Sequence, residues 1–222
     1  MKPECDNGSS SVEALYTEIR KRISLLHYPP GMALSENVLA NEFGVSRTPI
    51  RRILQRLEFE GLVATKRGIG TIVTTIDLKS LKAVYAFRMK LHEITGELCP
   101  VVRVSEDERA ALEGMLAQCR QMRTMYDPEA LARLYNSFQE MMLCFISNEP
   151  LRRISETYYY QTARLWLQIL PDLSWPEEVN RITEEMEQVL EALRDGDMGA
   201  VGQVRRRHLV MNLNRMWGSE FL

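Results

Sequence analysis

Apolar residues recur three and four apart from the start of the chain. Val12, Leu15, Ile19 and Ile23 predict a helix with Arg20, Lys21 and Arg22 on or near its outer face. That helix ends before Tyr28-Pro29-Pro30-Gly31. Ser35 is placed to cap a short helix carrying Val38, Leu39, Ala40 and Phe43, which Gly44 closes. Two residues on, Ser46 caps a further helix whose Pro49 falls in the first turn, where N–H groups have no intrahelical partner. Ile50, Ile53, Leu54 and Leu57 face inward on it, and it runs to about Glu60 before Gly61.

Two helices joined at Gly44 and Val45 have the spacing of a helix-turn-helix. The inward set leaves Arg47, Thr48, Arg51, Arg52 and Gln55 outward, with no Asp or Glu between Arg47 and Gln55. Guanidinium groups interleaved with hydroxyl and amide donors suit phosphates and base edges in a major groove. An ordinary solvated face is the competing reading, but such a face usually interleaves acids with its bases. Next come two β-prone runs, Leu62 to Thr65 and Thr71 to Thr75, around Lys66-Arg67-Gly68-Ile69-Gly70. This is the pattern of a wing. Gly68 and Gly70 permit a tight turn close to a sugar-phosphate strand, and Lys66 and Arg67 would neutralise phosphates.

Beyond Ile76 the pattern is helix after helix. The first spans Leu81 to about Val102, with Val84, Phe87, Leu91, Ile94 and Leu98 as its apolar set. Ser105 to Glu108 is a capping box, Asp127-Pro128 and Glu149-Pro150 open two more helices, Ser174-Trp175-Pro176 begins a fifth ending at Gly196, and Asp197 starts the last. Strand signals are lacking there, which predicts an antiparallel bundle. The expected fold is therefore mainly α: a winged helix-turn-helix with a small β-hairpin over residues 12–76, then an antiparallel all-α helical bundle over residues 77–222.

Composition adds limits. A chain of 222 residues with 45% hydrophobic and 26% charged residues can bury a core and is not disordered. No apolar run approaches the roughly 18 residues of a membrane span, and Met1 to Ser11 lacks the features of a signal peptide, so a cytoplasmic protein is expected. Cys5, Cys99, Cys119 and Cys144 lie far apart without a CxxC pair, predicting free thiols, three of them in helices. The formal charge of -2 divides into an excess of two positive charges over residues 1–76 and four negative charges over residues 77–222. No Gly-rich phosphate loop, Ser-His-Asp set or His cluster marks an enzyme.

The runs Pro30 to Glu36, Leu39-Ala40, Phe43 to Arg51 and Leu57 to Val63 resemble the winged helix-turn-helix of GntR-type bacterial transcription regulators, over about residues 13 to 76. The resemblance implies a homodimer on a short palindromic operator of double-stranded DNA. DNA contacts would fall to Ser46, Arg47, Thr48, Pro49 and Arg51, with the wing tip near Gly68 to Gly70. Asn37 stands where many members carry an arginine.

Local matches at Arg88, Ser147 to Leu151, Leu190 to Leu193, Gly196-Asp197 and Arg207 to Leu209 are similar to the FCD effector domain of the FadR branch. That resemblance implies a small anionic metabolite, a carboxylate or acyl thioester, bound in the bundle. Many members also hold a divalent metal there through an Asp and three His. The corresponding positions here are Tyr135, Gln139, Met186 and His208, so no metal and no cofactor is expected.

The effector candidates are Arg88, Tyr135, Gln139, Met186 and His208. For Arg88, an internal ion pair competes with an anionic ligand, because a bundle interior holds few guanidinium groups for other reasons. Arg164 is a second candidate that could equally lie on the surface. His92 reads as an ordinary packed or solvated histidine, and Tyr158-Tyr159-Tyr160 with Trp166 as core or dimer interface. A ligand-responsive regulator is the expected function, and the resemblance implies a repressor, the commoner family outcome. An architectural DNA-binding protein whose bundle only dimerises is the alternative.

Overall fold

The computed structural model describes residues 11–75 and 78–217. The chain order is α1 (Ser11–Ser24), α2 (Glu36–Phe43), α3 (Arg47–Phe59), β1 (Val63–Lys66), β2 (Gly70–Val73), then α4 (Leu78–Leu98), α5 (Glu106–Gln121), α6 (Pro128–Cys144), α7 (Glu149–Ile169), α8 (Trp175–Arg194) and α9 (Met198–Trp217). The fold is mainly helical, a winged helix-turn-helix head followed by a helical bundle. The boundary expected at 76/77 lies outside the described residues.

Local chemistry sets most helix ends. Ser35 Oγ accepts from the Val38 N–H, and Gly44 closes α2 in the left-handed conformation at φ 66°. Ser105 and Glu108 form the reciprocal capping box of α5, and Asp127 and Asn148 cap α6 and α7 just ahead of their prolines. β1 and β2 pair antiparallel from Val63 opposite Val73 to Lys66 opposite Gly70. The segment before α2 adds to that hairpin through the Ala33–Ile72 bridge.

Ile19, Ile23, Ile50, Leu54, Leu57, Leu62 and Val73 form the head core, which continues into Tyr159 and Tyr160 of α7. The bundle core centres on Leu112, Cys119, Leu131, Phe138, Met186 and Val189. Arg20, expected on or near the outer face of α1, is instead buried: its Nη1 reaches Glu156 Oε1 at 2.6 Å and its guanidinium lies over the Tyr160 ring. Head and bundle thus share an apolar and ionic contact.

In α4 the expected apolar stripe is only partly buried. Leu81, Tyr85, Arg88, Leu91 and Thr95 turn inward, Phe87 and Leu98 are exposed, and Cys99, expected in a helix, is buried just past the end of α4. The cause is close packing of α4 on α9: a Cβ on Gly96 would meet Gly199 Cα at 2.4 Å, and one on Gly202 would meet the His92 carbonyl oxygen at 2.3 Å. Glycine at these positions lets the two backbones approach, and that contact selects the buried face over the residues of greatest apolarity. α4 also ends at Leu98, short of Val102, and Val101 forms an isolated bridge to Asp197. Cys99 and Cys119 are buried free thiols, Cys144 is disulfide-bonded and departs from the expectation, and Cys5 lies outside the described residues.

Candidate nucleic-acid interface and effector cavity

The 3.6-residue period of α3 buries Ile50, Ile53, Leu54 and Leu57 and leaves Arg47, Thr48, Arg51, Arg52 and Gln55 exposed. Ser46 has the extended N-cap conformation, but its side chain makes no capping bond. Pro49 sits half-buried in the first turn. One acid attends this face from outside the helix. Glu36, the first residue of α2, accepts from Arg51 Nε and Nη2, both at 2.9 Å, and from Arg47 Nη2 at 3.2 Å. The Arg51 hydrogen bonds lead in pulling its carboxyl down to about 2. Glu36 therefore stays charged and holds both guanidinium groups in one orientation. Glu36 lies on α2, 11 and 15 residues ahead of the arginines it holds, so the residues of α3 alone do not reveal it.

The wing stands beside this face. Gly68 and Gly70 have φ of 81° and 98°, so the turn relies on glycine, and Lys66 and Arg67 are exposed. Asn37, Glu36, Arg47 and Arg51 share a groove with Ile69 and Gly70. The head thus gathers the start of α2, the start of α3 and the wing tip on one side, a cationic surface with an acid built in. Arg52 lies on the exposed face of α3 outside that groove.

The second site is a cavity of about 70 Å³ where the head meets the bundle. α1 contributes Ser24, α4 Tyr85 and Arg88, α6 Tyr135 and Asn136, and the remaining wall comes from α7, α8 and α9. Arg88 is 9% exposed. Its Nη1 donates to Thr162 Oγ1 at 2.6 Å, and its guanidinium carbon lies 5.4 Å from the Tyr85 ring centre and 5.5 Å from that of Tyr159. Burial pulls its pKa down. Among the described residues Arg88 makes no ion pair, so an internal carboxylate is not its partner there.

Of the five effector candidates, Arg88 and Tyr135 line the cavity and Gln139, Met186 and His208 do not. Gln139 is buried with its Oε1 unpartnered, Met186 belongs to the bundle core, and His208 Nε2 lies 3.2 Å from Gln188 Oε1. Ser24, Asn136, Thr162 and Arg181 are wall residues that no sequence signal marks. Tyr159 and Trp166, expected in the core or a dimer interface, also line the cavity. Arg164 is not on the surface. At 1% exposure it donates from Nη2 to Thr74 Oγ1 at 2.9 Å, with Nε and Nη1 unpartnered, and burial lowers its pKa to about 10.

The donor set around Tyr135 does not suit a divalent metal. Glu185 Oε1 is 2.6 Å from Arg205 Nη1, with both side chains almost fully buried, and Glu185 Oε2 accepts from the Tyr135 hydroxyl at 3.0 Å. The acid is already committed to a guanidinium, Gln139 is a weak oxygen donor, and the Met186 thioether is unsuited to hard cations. Among the described residues no group of three or more His, Cys, Asp or Glu side chains could hold a metal ion.

A glycine-tipped wing beside an arginine face, followed by a cavity-bearing helical bundle, defines a class that the comparisons specify. Residues 11–73 match "Bacterial regulatory proteins, gntR family", and residues 83–211, more than half of the chain, match the FCD domain. The chain belongs to the GntR family of bacterial regulatory proteins, in the branch that carries an FCD domain. It is 29% identical over 142 residues to the uncharacterized HTH-type transcriptional regulator YdhC of Bacillus subtilis, covering 64% of this chain and 63% of that protein. It is 35% identical over 90 residues to the gluconate operon transcriptional repressor of the same organism, covering 40% and 36%. The chain thus spans less than two thirds of the length of these curated relatives. Among solved structures, E. coli McbR/YncC superposes with a TM-score of 0.75 at 18% identity, over 96% of this chain and 99% of that one, a likeness of fold. No helix among the described residues is long and apolar enough to cross a membrane.

Proposed function

We propose that this chain is a ligand-responsive DNA-binding transcription regulator, a repressor acting in the cytoplasm as a homodimer on a palindromic operator. Residues 12–76 form the DNA-binding unit, and residues 77–222 form the effector-binding and dimerisation unit. α3 enters the major groove, where Arg47 and Arg51 read base edges and Ser46, Thr48, Pro49 and Arg52 lie against the strand. The wing follows the backbone with Lys66, Arg67, Gly68 and Gly70. The observation that carries this reading is the double hold of Glu36 on Arg51 and Arg47 beside the wing tip. Two arginines fixed in one orientation suit readout of particular bases rather than general attraction to phosphate.

A small anionic metabolite bound at Arg88 and Tyr135 changes operator affinity. The cavity supports this over an architectural protein whose bundle only dimerises, since Arg88 brings into it a buried guanidinium with donors to spare and, among the described residues, no ion pair. Selecting an operator from a random duplex pool and measuring binding by fluorescence anisotropy tests the DNA reading. Arg47→Ala and Arg51→Ala should each lose about 1–3 kcal/mol of operator affinity. Wild-type affinity in both variants would remove α3 from the interface.

A further inference from the structure

We propose that the cavity at the junction of head and bundle takes a small aromatic carboxylic acid, its carboxylate on Arg88 and its ring among Tyr85, Tyr159 and Trp166. This deepens the effector reading above and rests on it.

The charge of the cavity selects an anion. Arg88 is more than nine-tenths buried, and of the five donors of a guanidinium it uses one, toward Thr162. Arg181 also lines the cavity, with a buried Nε that has no partner. The acid on the wall, Glu178, is already engaged, accepting from Trp166 Nε1 at 3.0 Å and from Arg215 Nη2 at 2.9 Å. Two guanidinium groups with no carboxylate partner among the described residues, in a wall whose acid is neutralised, favour a negative ligand and disfavour a cation. A bidentate carboxylate is the group that matches a guanidinium fork.

The walls select the rest of the ligand. The Arg88 guanidinium lies over the rings of both Tyr85 and Tyr159, which presents aromatic surface beside the anion position. Trp166 adds a further flat face, and Ile182 and Leu209 are apolar. Such a wall rewards a planar body, which can stack or meet ring edges, over a chain or a strongly hydrated phosphate. Size sets the limit. A cavity of about 70 Å³ is smaller than the roughly 150 Å³ that accepts a benzene ring, so a ring enters it only with outward movement of the lining side chains. That limits the ligand to an acid built on one ring and leaves no room for the nucleotide of an acyl thioester. Arg181 offers a second acceptor on the ring, a hydroxyl or another carboxylate, a donor of its own.

Calorimetric titration of the full-length protein with benzoate, salicylate and phthalate tests the proposal, with benzamide, cyclohexanecarboxylate, succinate, inorganic phosphate and acetyl-CoA as contrasts. The aromatic acids should bind, the best of them about tenfold or more tighter than benzamide and cyclohexanecarboxylate, and Arg88→Gln should weaken it about tenfold or more. If Arg88→Gln fails to fold, Arg181→Met should weaken salicylate or phthalate more than benzoate. The proposal is overturned if no aromatic acid binds, if benzamide equals benzoate, or if succinate, phosphate or acetyl-CoA binds more tightly than every aromatic acid. It also fails if folded Arg88→Gln, or Arg181→Met used in its place, leaves the affinities unchanged. Operator binding by the ligand-free protein is measured in parallel. An operator bound without any aromatic acid binding sinks this inference alone, whereas aromatic acids bound by a protein that selects no operator sink the regulator reading.

Discussion

Asn136 on α6 donates its side-chain amide to the Ser24 hydroxyl on α1 at 3.0 Å, and its carbonyl oxygen accepts from the Tyr159 hydroxyl at 2.5 Å. All three residues line the cavity, and Ser24 belongs to the head. Tyr159 in turn packs against the Arg88 guanidinium. The chain from Arg88 to Ser24 joins the expected anion position to the helix that packs on α3.

A ligand shifts DNA affinity only by binding two states unequally, so severing this chain should reduce coupling rather than binding. Ser24→Ala is expected to keep operator affinity and acid affinity within about threefold of wild type. The change in one caused by the other should shrink. Anisotropy titrations of operator with and without saturating aromatic acid read this directly, and undiminished coupling in Ser24→Ala would exclude the chain.

Glu36 should govern discrimination. In Glu36→Gln one negative charge leaves a surface that meets a polyanion, so binding to random duplex at low salt should strengthen. Arg47 and Arg51 also lose their fixed orientation, and the ratio of operator to random affinity should fall by about tenfold. Because its neighbouring arginines hold the Glu36 carboxyl down to about 2, this effect should not vary between pH 5 and 8. A ratio unchanged in Glu36→Gln would show that the arginines orient without it.

The buried Glu185–Arg205 pair gives a stability test. Removing one partner strands a buried charge, and Arg205→Met should destabilise by about 3–5 kcal/mol. Glu185→Met combined with Arg205→Met should recover much of that loss, as apolar replacement of a whole buried pair often does. Denaturant melts of the single and double variants measure it, and an additive loss in the double variant would contradict the pairing. Added zinc, nickel or manganese should leave the wild-type melting temperature unchanged.

His208 predicts the direction of acid sensitivity. Burial first, then Arg207 and Arg205, hold its pKa below the ordinary value, against the opposing pull of Glu185 and Glu184. His92 is depressed in the same direction, by burial and then by Arg205 and Arg88. Both are neutral in the folded chain, while the unfolded chain protonates them near pH ~6.5. Their contribution is complete above that pH and is lost as pH falls below it toward the folded values. The melting temperature should therefore drop between pH 7.5 and 5.5, and less steeply in His208→Gln. A melting temperature that rises on acidification over that range would contradict the assignment.

The head was largely legible without a structure because its determinants are local. Ser35 caps the Val38 N–H three residues on, Gly44, Gly68 and Gly70 act through their own backbone conformation, and the four inward residues of α3 follow from helical period alone, which leaves its arginines outward. The helices of the bundle were legible for the same reason, through the caps at Ser105, Asp127 and Asn148. Tertiary packing decided what covers each face. Arg20 and Arg164 are buried because α7 meets the head, the inward side of α4 is chosen by Gly96 and Gly202 against α9, and Arg205 is paired by a residue 20 positions away. The cavity is the extreme case: its wall draws on six helices, and Ser24 and Arg88 face one space only once head and bundle have docked. A periodic pattern reports that a side has a partner, while the identity of that partner depends on contacts between residues far apart in the chain.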